Sequence, residues 1–183
     1  MIEITPLKIE GSFLIENSFF NDNRGSFREL MRSSQLSSIS NGLPWVQSNL
    51  SVSKLNTIRG IHFSKSDVLQ NKLVSCVSGK ILDFVIDIRP ESPTYRQFCE
   101  IELDSNYPTS VFISGGLGHA FLAKRENSVV NYLLSSEYNP DAEFGINPFD
   151  TDININWGAD DFILSDKDRA APSLNEAIKL GII

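Results

Sequence analysis

Histidine and cysteine are scarce in this 183-residue chain, which holds only His62, His119, Cys76 and Cys99 of those types. So few soft or imidazole ligands argue against a Cys/His zinc cluster and against a disulfide framework. Two unpaired thiols fit a reducing compartment. Cations are also in the minority: 16 Lys and Arg against 23 Asp and Glu leave a formal net charge of −7. General binding to nucleic acid or to an anionic membrane needs a basic footprint, so both partners are disfavoured. No apolar run approaches the roughly 20 residues of a membrane span, and the first residues show no basic, apolar leader. The reading is a soluble, cytoplasmic protein. With 41% hydrophobic residues, the chain can bury a core of its own, and one domain over residues 1–183 is expected.

Helix signals are few, and what is present is strand-like. Leu82, Phe84, Ile86 and Ile88 alternate with Asp83, Val85, Asp87 and Arg89, a period of two that puts the apolar set on one face. With the preceding Lys72-Leu73-Val74-Ser75-Cys76-Val77 and the turn Ser78-Gly79-Lys80, it predicts a β-hairpin. Further strands are predicted at 11–19, 25–31, 46–52, 97–103, 110–114, 119–123 and 129–135, separated by Gly and Pro turns. Short helices are predicted at 33–39 and after Pro172, where Ser173 and Glu176 form a capping box. Many short strands with regular turns imply a mainly β sandwich, jelly roll or barrel.

Polar chemistry concentrates in four places. Arg59-Gly60-Ile61-His62 sets an anion-holding guanidinium and a proton-exchanging imidazole around a glycine. Its plainer alternative is a surface arginine and a satisfied core histidine. Gly115-Gly116-Leu117-Gly118-His119 lacks the order and βαβ setting of a dinucleotide loop, so it reads as a turn presenting His119. Tyr132 shares parity with Val130 and Leu134 and points inward, as a proton donor or as a core aromatic. Ser165-Asp166-Lys167-Asp168 supplies charge in what reads as a polar turn. A metal-binding cupin would need converging imidazoles, and His62 is followed by Phe63-Ser64, not by a second histidine.

In this order, these pieces resemble the dTDP-4-dehydrorhamnose 3,5-epimerase family, the cupin-type sugar-nucleotide epimerases. The likeness runs from Phe19 to Pro172. It includes Asp22-Asn23-Arg24-Gly25-Ser26-Phe27-Arg28-Glu29, Gln47-Ser48-Asn49, Arg59-Gly60-Ile61-His62-Phe63, Gln70-Asn71-Lys72-Leu73-Val74, Asp87 to Tyr95, Gly118-His119-Ala120-Phe121, Tyr132, Tyr138 with Glu143, and Ser165 to Asp168. The resemblance implies a cupin-type jelly roll with short helices, one C-terminal. It also implies His62 as base oriented by Asp168, Tyr132 as acid, and Lys72 facing the C4 oxygen. Arg24, Glu29, Gln47, Asn49, Arg59, His119, Glu143 and Lys167 match ligand-binding positions, and Tyr138 matches an aromatic residue that stacks on the base.

The chemistry is coherent. Removing a sugar C–H proton is feasible beside a ketone that holds the charge as an enolate, and a base and an acid on opposite faces then invert the carbon. A fixed cation at the oxyanion contributes about 3 kcal/mol. The implied substrate is a dTDP-linked 4-keto-6-deoxyhexose of a deoxysugar (rhamnose-like or surface-polysaccharide) pathway. No cofactor and no metal are implied, and a homodimer with exchanged N-terminal strands is. Ser64-Lys65, the altered 115–121 segment and Gly145-Ile146-Asn147-Pro148-Phe149-Asp150 depart from the family pattern. They leave open whether C3, C5 or both are inverted, and which sugar and nucleotide are used. The alternatives are a single-site epimerase, a non-catalytic sugar-nucleotide-binding module and a metal-dependent cupin.

Overall fold

Alternating apolar residues account for most strands of the computed structural model, which describes residues 2–65, 68–158 and 160–183. In chain order the elements are β1 (Glu3–Pro6), β2 (Ser12–Glu16), β3 (Phe19–Asp22), β4 (Gly25–Arg28), α1 (Ser33–Leu36), β5 (Gln47–Ser53), β6 (Ile58–Ser64) and β7 (Lys72–Ser78). They continue with β8 (Lys80–Ile86), β9 (Phe98–Asp104), β10 (Thr109–Ile113), β11 (Gly118–Ala123), β12 (Ser128–Leu134), β13 (Glu143–Gly145), α2 (Asp166–Arg169) and α3 (Leu174–Lys179). One sheet has the order β1-β2-β10-β7-β12-β5 and the other β13-β6-β11-β8-β9, while β3 and β4 pair with each other as a separate hairpin.

The two large sheets share a core in which Val74, Cys76, Val111, Ile113 and Val130 meet Ile81, Val85, Leu103 and Phe121. The outer face of the five-stranded sheet is covered too: Ile58, Ile61, Phe63, Phe84 and Leu122 pack on Ile153, Ile155, Trp157, Leu174 and Ala177 of the C-terminal segment. On the far side, Leu36 of α1 and Trp45 lie over Ile15, Leu73 and Phe112. This is the expected mainly β sandwich. The capping box of α3 is present, with the Ser173 side chain accepting from the Glu176 N–H and Glu176 accepting in return.

One expectation is corrected. β7 and β8 follow one another but do not form a hairpin: β7 pairs with β10 and β12, whereas β8 pairs with β9 and β11. At Gly79 the chain crosses from one sheet to the other, with φ +79° and a Cβ position only 2.9 Å from Ser128 Cα. The polar side of β8 and its extension is covered as well. Asp83 and Asp87 are fully buried, because β8 is covered on both faces. Asp87 accepts hydrogen bonds from Arg89, Ser92 and Thr94. Burial raises its pKa, and those bonds outweigh it, bringing the carboxyl down to about 2.

Candidate active site

A cleft of about 620 Å³ opens between the two sheets. From the five-stranded sheet, β6 supplies Arg59 and His62, β11 supplies His119 and β13 supplies Glu143; from the six-stranded sheet come Gln47 and Asn49 on β5, Lys72 on β7 and Tyr132 on β12. Tyr138, Lys167 and Asp168 complete the lining among the residues singled out from sequence. Thus His62 stands on one wall, and Lys72 and Tyr132 stand on the other.

The spacing on β6 needs explanation, because residues three apart in a regular strand point to opposite faces. Pairing with β11 shifts register between His119↔His62 and Phe121↔Arg59, so Gly60 and Ile61 together oppose Ala120. This bulge resets the alternation and lets Arg59 and His62 both face the cleft. Gly60 has φ +124°, and a Cβ there would sit 2.6 Å from both the Ala120 Cβ and the His119 carbonyl oxygen. Only glycine fits that approach.

Behind His62 stands Asp168, whose Oδ1 lies 2.7 Å from the imidazole Nε2. The side chains are 38% and 7% exposed, respectively, so the imidazole reaches the cleft while its partner is buried. Asp168 is the buried residue of α2, where the Ser165 hydroxyl caps the helix by accepting from the Asp168 N–H at 3.0 Å. The polar turn expected there is therefore a capped helical turn. A bridge between Thr57 and Ile163 ties this segment to the start of β6. Burial pushes the Asp168 pKa up, but hydrogen bonds from His62, Ser165 and the Gly60 N–H prevail and leave it lowered. An ionised carboxylate fixes the ring orientation of its histidine.

Lys72 is 7% exposed at the start of β7. Burial lowers its pKa, and the negative charge of Glu143 opposes that. Arg59 is held along β5 by its Nε donating to Ser53 Oγ at 3.0 Å and by Nη2 donating to the Val52 carbonyl at 3.1 Å. Gln47 donates to Asn49 and accepts from the Tyr138 N–H, which pins the Tyr138 loop at the rim. Lys54, Arg59, Lys72 and Lys167 set four cations in the cleft against the carboxylates Glu143 and Asp168. An acidic chain thus carries a locally basic cavity suited to an anionic ligand.

Three contributors escaped sequence reading. Lys54 joins the lining. Asp83, buried on β8, holds His119 Nε2 at 2.7 Å. Gln70 also lines the cleft; it stood in the Gln70-Asn71-Lys72-Leu73-Val74 motif, but no role was attached to it. Two expected contacts lie elsewhere. Arg24 sits on the β3–β4 turn, paired with Asp22 and 85% exposed, and Glu29 pairs with Arg32. Neither lines this cleft: Arg24 sits on, and Glu29 just after, a hairpin whose strands pair with neither large sheet. Among the described residues, no three His, Cys, Asp or Glu side chains gather as a metal site would require.

A two-sheet sandwich enclosing a histidine–carboxylate pair, a buried lysine and a facing tyrosine has the makings of an acid–base enzyme on a cupin-type fold. A family model described as dTDP-4-dehydrorhamnose 3,5-epimerase matches residues 6–176. A relative of that name from Streptomyces griseus is 40% identical over 180 residues, covering 97% of this chain and 90% of the relative. The solved structure of NovW, a 4-keto-6-deoxy sugar epimerase from the novobiocin biosynthetic gene cluster of Streptomyces spheroides, matches with a TM-score of 0.95 at 35% identity, covering 100% of this chain and 92% of that one. ChmJ, a 3'-monoepimerase from Streptomyces bikiniensis solved in complex with dTDP-quinovose, matches with a TM-score of 0.92 at 36% identity, covering 98% and 91%. The chain belongs to the dTDP-4-dehydrorhamnose 3,5-epimerase family, and it is an isomerase.

Proposed function

We propose that this enzyme inverts C3 and C5 of a dTDP-linked 4-keto-6-deoxyhexose, a step of deoxysugar biosynthesis. His62 removes the proton beside the C4 ketone, and Asp168 orients the imidazole and balances the charge it acquires. Lys72 stabilises the enolate oxygen, and Tyr132 returns a proton from the other face. Arg59, His119 and Lys167 receive the diphosphate, Gln47, Asn49 and Glu143 bind polar groups of the ligand, and Tyr138 stacks on the base. The observation that carries this reading is the opposed placement of His62 and Tyr132 on the two walls of one cleft. Inversion needs a base and an acid on opposite faces of one carbon, whereas binding alone needs neither.

Arg24 and Glu29 belong to this reading through a second copy of the chain. Phe20 and Phe27 on the β3–β4 hairpin are 60% and 67% exposed, and the edge strand β5 shows Leu50 at 63% and Val52 at 54%. A homodimer with exchanged N-terminal strands covers these apolar side chains and brings the hairpin's charges to the partner's cleft. A cytoplasmic address fits the two unpaired thiols.

A second reading, inversion at C3 alone, is favoured by the 3'-monoepimerase ChmJ among the similar structures. Incubation with dTDP-4-keto-6-deoxyglucose in D2O separates the two. Deuterium at both C3 and C5 supports the double epimerase, and label at C3 alone assigns the single-site reaction. If no label enters this substrate or its counterparts on other nucleotides, the epimerase reading fails.

A further inference from the structure

Val130, Tyr132 and Leu134 alternate along β12 and share the face turned toward the opposite sheet. Val130 lies in the core between the sheets, while Leu133 packs on the far side under α1. Leu134 is 3% exposed. Of the large apolar side chains buried among the described residues, it alone joins none of the three core clusters. It lines the cleft instead. Its cross-strand partners are Lys72 on β7 and Gln47 on β5, and Tyr132 precedes it by two positions on the same face. Antiparallel partners hold their Cβ atoms about 4.5–5.5 Å apart, so this leucine is set among three polar groups that face the ligand. Apolar surface left without a core partner inside a polar cleft is surface for an apolar part of the ligand.

We infer that Leu134 is a specificity-determining residue that receives the methyl group on C5 of the 4-keto-6-deoxyhexose. The inference rests on the epimerase reading, in which Lys72 faces the C4 oxygen and Tyr132 the reacting carbon. Such a sugar carries oxygen on C1, C2, C3 and C4, so the C5 methyl is its only apolar substituent. That methyl belongs to a carbon next to the ketone, which brings it to the side chain paired with Lys72. With the ring turned the other way, the C3 hydroxyl would meet the leucine and lose its water without gaining a partner. Ile58, Phe121 and Phe144 also line the cleft, but they stand on the five-stranded wall and pack into its cores. Val52 shares the wall of Lys72, but it lies on the edge strand opposite Val129 and is 54% exposed. Leu134 is thus the apolar group placed beside the ketone, and it points C5 toward β12.

Deleting the methyl and deleting the leucine test the contact from both sides. A dTDP-linked 4-ketopentose lacks only the C6 methyl, and deuterium entering C3 from D2O reads it and the 6-deoxyhexose alike. Wild-type enzyme should favour the hexose by about tenfold in kcat/KM, the scale on which an apolar site discriminates one carbon. Leu134→Ala should narrow that preference to about twofold or less, because the two deletions remove the same contact and do not add. Leu134→Met, of similar volume, should keep most of the preference, and Leu134→Val gives an intermediate value should the alanine variant fold poorly. Calorimetry with dTDP alone should find each variant within about twofold of wild type, since the leucine serves the sugar. A wild type indifferent to the methyl, or variants that lose rate equally on both substrates, overturns the assignment. A loss of dTDP affinity as large as the loss of rate gives Leu134 to the base and overturns it too. Wild-type enzyme that exchanges no proton of either sugar instead defeats the epimerase reading; an active wild type whose preference survives Leu134→Ala defeats this inference alone.

Discussion

His62 and Asp168 are 106 positions apart and share one 2.7 Å contact, which joins β6 to a helical turn near the end of the chain. Each can be tested separately from the fold. His62→Ala should abolish solvent exchange into the substrate while leaving dTDP affinity within about threefold by calorimetry, because a general base contributes about 10²–10⁴ to rate and little to ground-state binding. Unchanged exchange would remove His62 from the base role. Lys72→Met should lower kcat by about 10²–10³ with a smaller change in KM, as expected for loss of a donor aimed at a developing oxyanion. Both residues stood out in the sequence through the ordered motif set. Asp83 did not, because an aspartate alternating with apolar neighbours has the signature of a solvated strand face, and only the covering of β8 on both sides reverses that.

At the scale of elements, the β6 bulge places two functional groups of the first wall, Arg59 and His62. Period-two reading found no strand at 58–64, since Ile58, Ile61 and Phe63 share the outer core while Arg59 and His62 share the cleft. Neither set keeps even spacing until Gly60 and Ile61 are counted against one partner residue. Gly60→Ala should destabilise the protein by more than about 3 kcal/mol in urea unfolding, since its Cβ would meet backbone and side-chain atoms at 2.6 Å on a positive-φ residue. A variant of near wild-type stability would show that the bulge can relax. The loop after β8 carries a separate pH signature. Asp87 is held near pKa 2, below its ordinary value near 4. It therefore contributes fully above pH 4 and gives that up as the pH falls toward 2, a loss of about 2 kcal/mol. Asp87→Asn should remove this part of the acid dependence in unfolding curves recorded between pH 5 and 2.

Across the whole molecule, a net charge of −7 surrounds a cleft with more cations than carboxylates, which draws in an anionic ligand while the bulk surface repels polyanions. Salt should accordingly raise KM for a nucleotide-linked sugar more than it lowers kcat. The exposed hairpin turns this into a question about two chains. If the partner's Arg24 serves each cleft, mixing refolded Arg24→Ala and His62→Ala chains should restore activity, to about a quarter of the wild-type sites for random pairing. A dimer by light scattering that shows no such complementation would confine Arg24 to its own chain and out of the site. Neither outcome is readable from linear motifs, which mark Arg24 and Glu29 as ligand contacts without saying whose ligand.

By itself, the sequence determined the β class, the capped terminal helix, the scarcity of metal-ligating side chains and the identity of most polar cleft residues, because these depend on composition, local periodicity and ordered motifs. Tertiary structure alone decided which sheet each strand joined, so that β7 and β8 part at Gly79 instead of pairing. It also decided that Asp83 and Asp87 are buried, that Leu134 stands beside Lys72, and that Arg24 stands clear of the cleft. The physical reason is common to all four. Strand periodicity records which way a side chain points relative to its own backbone, whereas partners, burial and opposing walls are set by hydrogen bonds and packing between segments far apart in the chain.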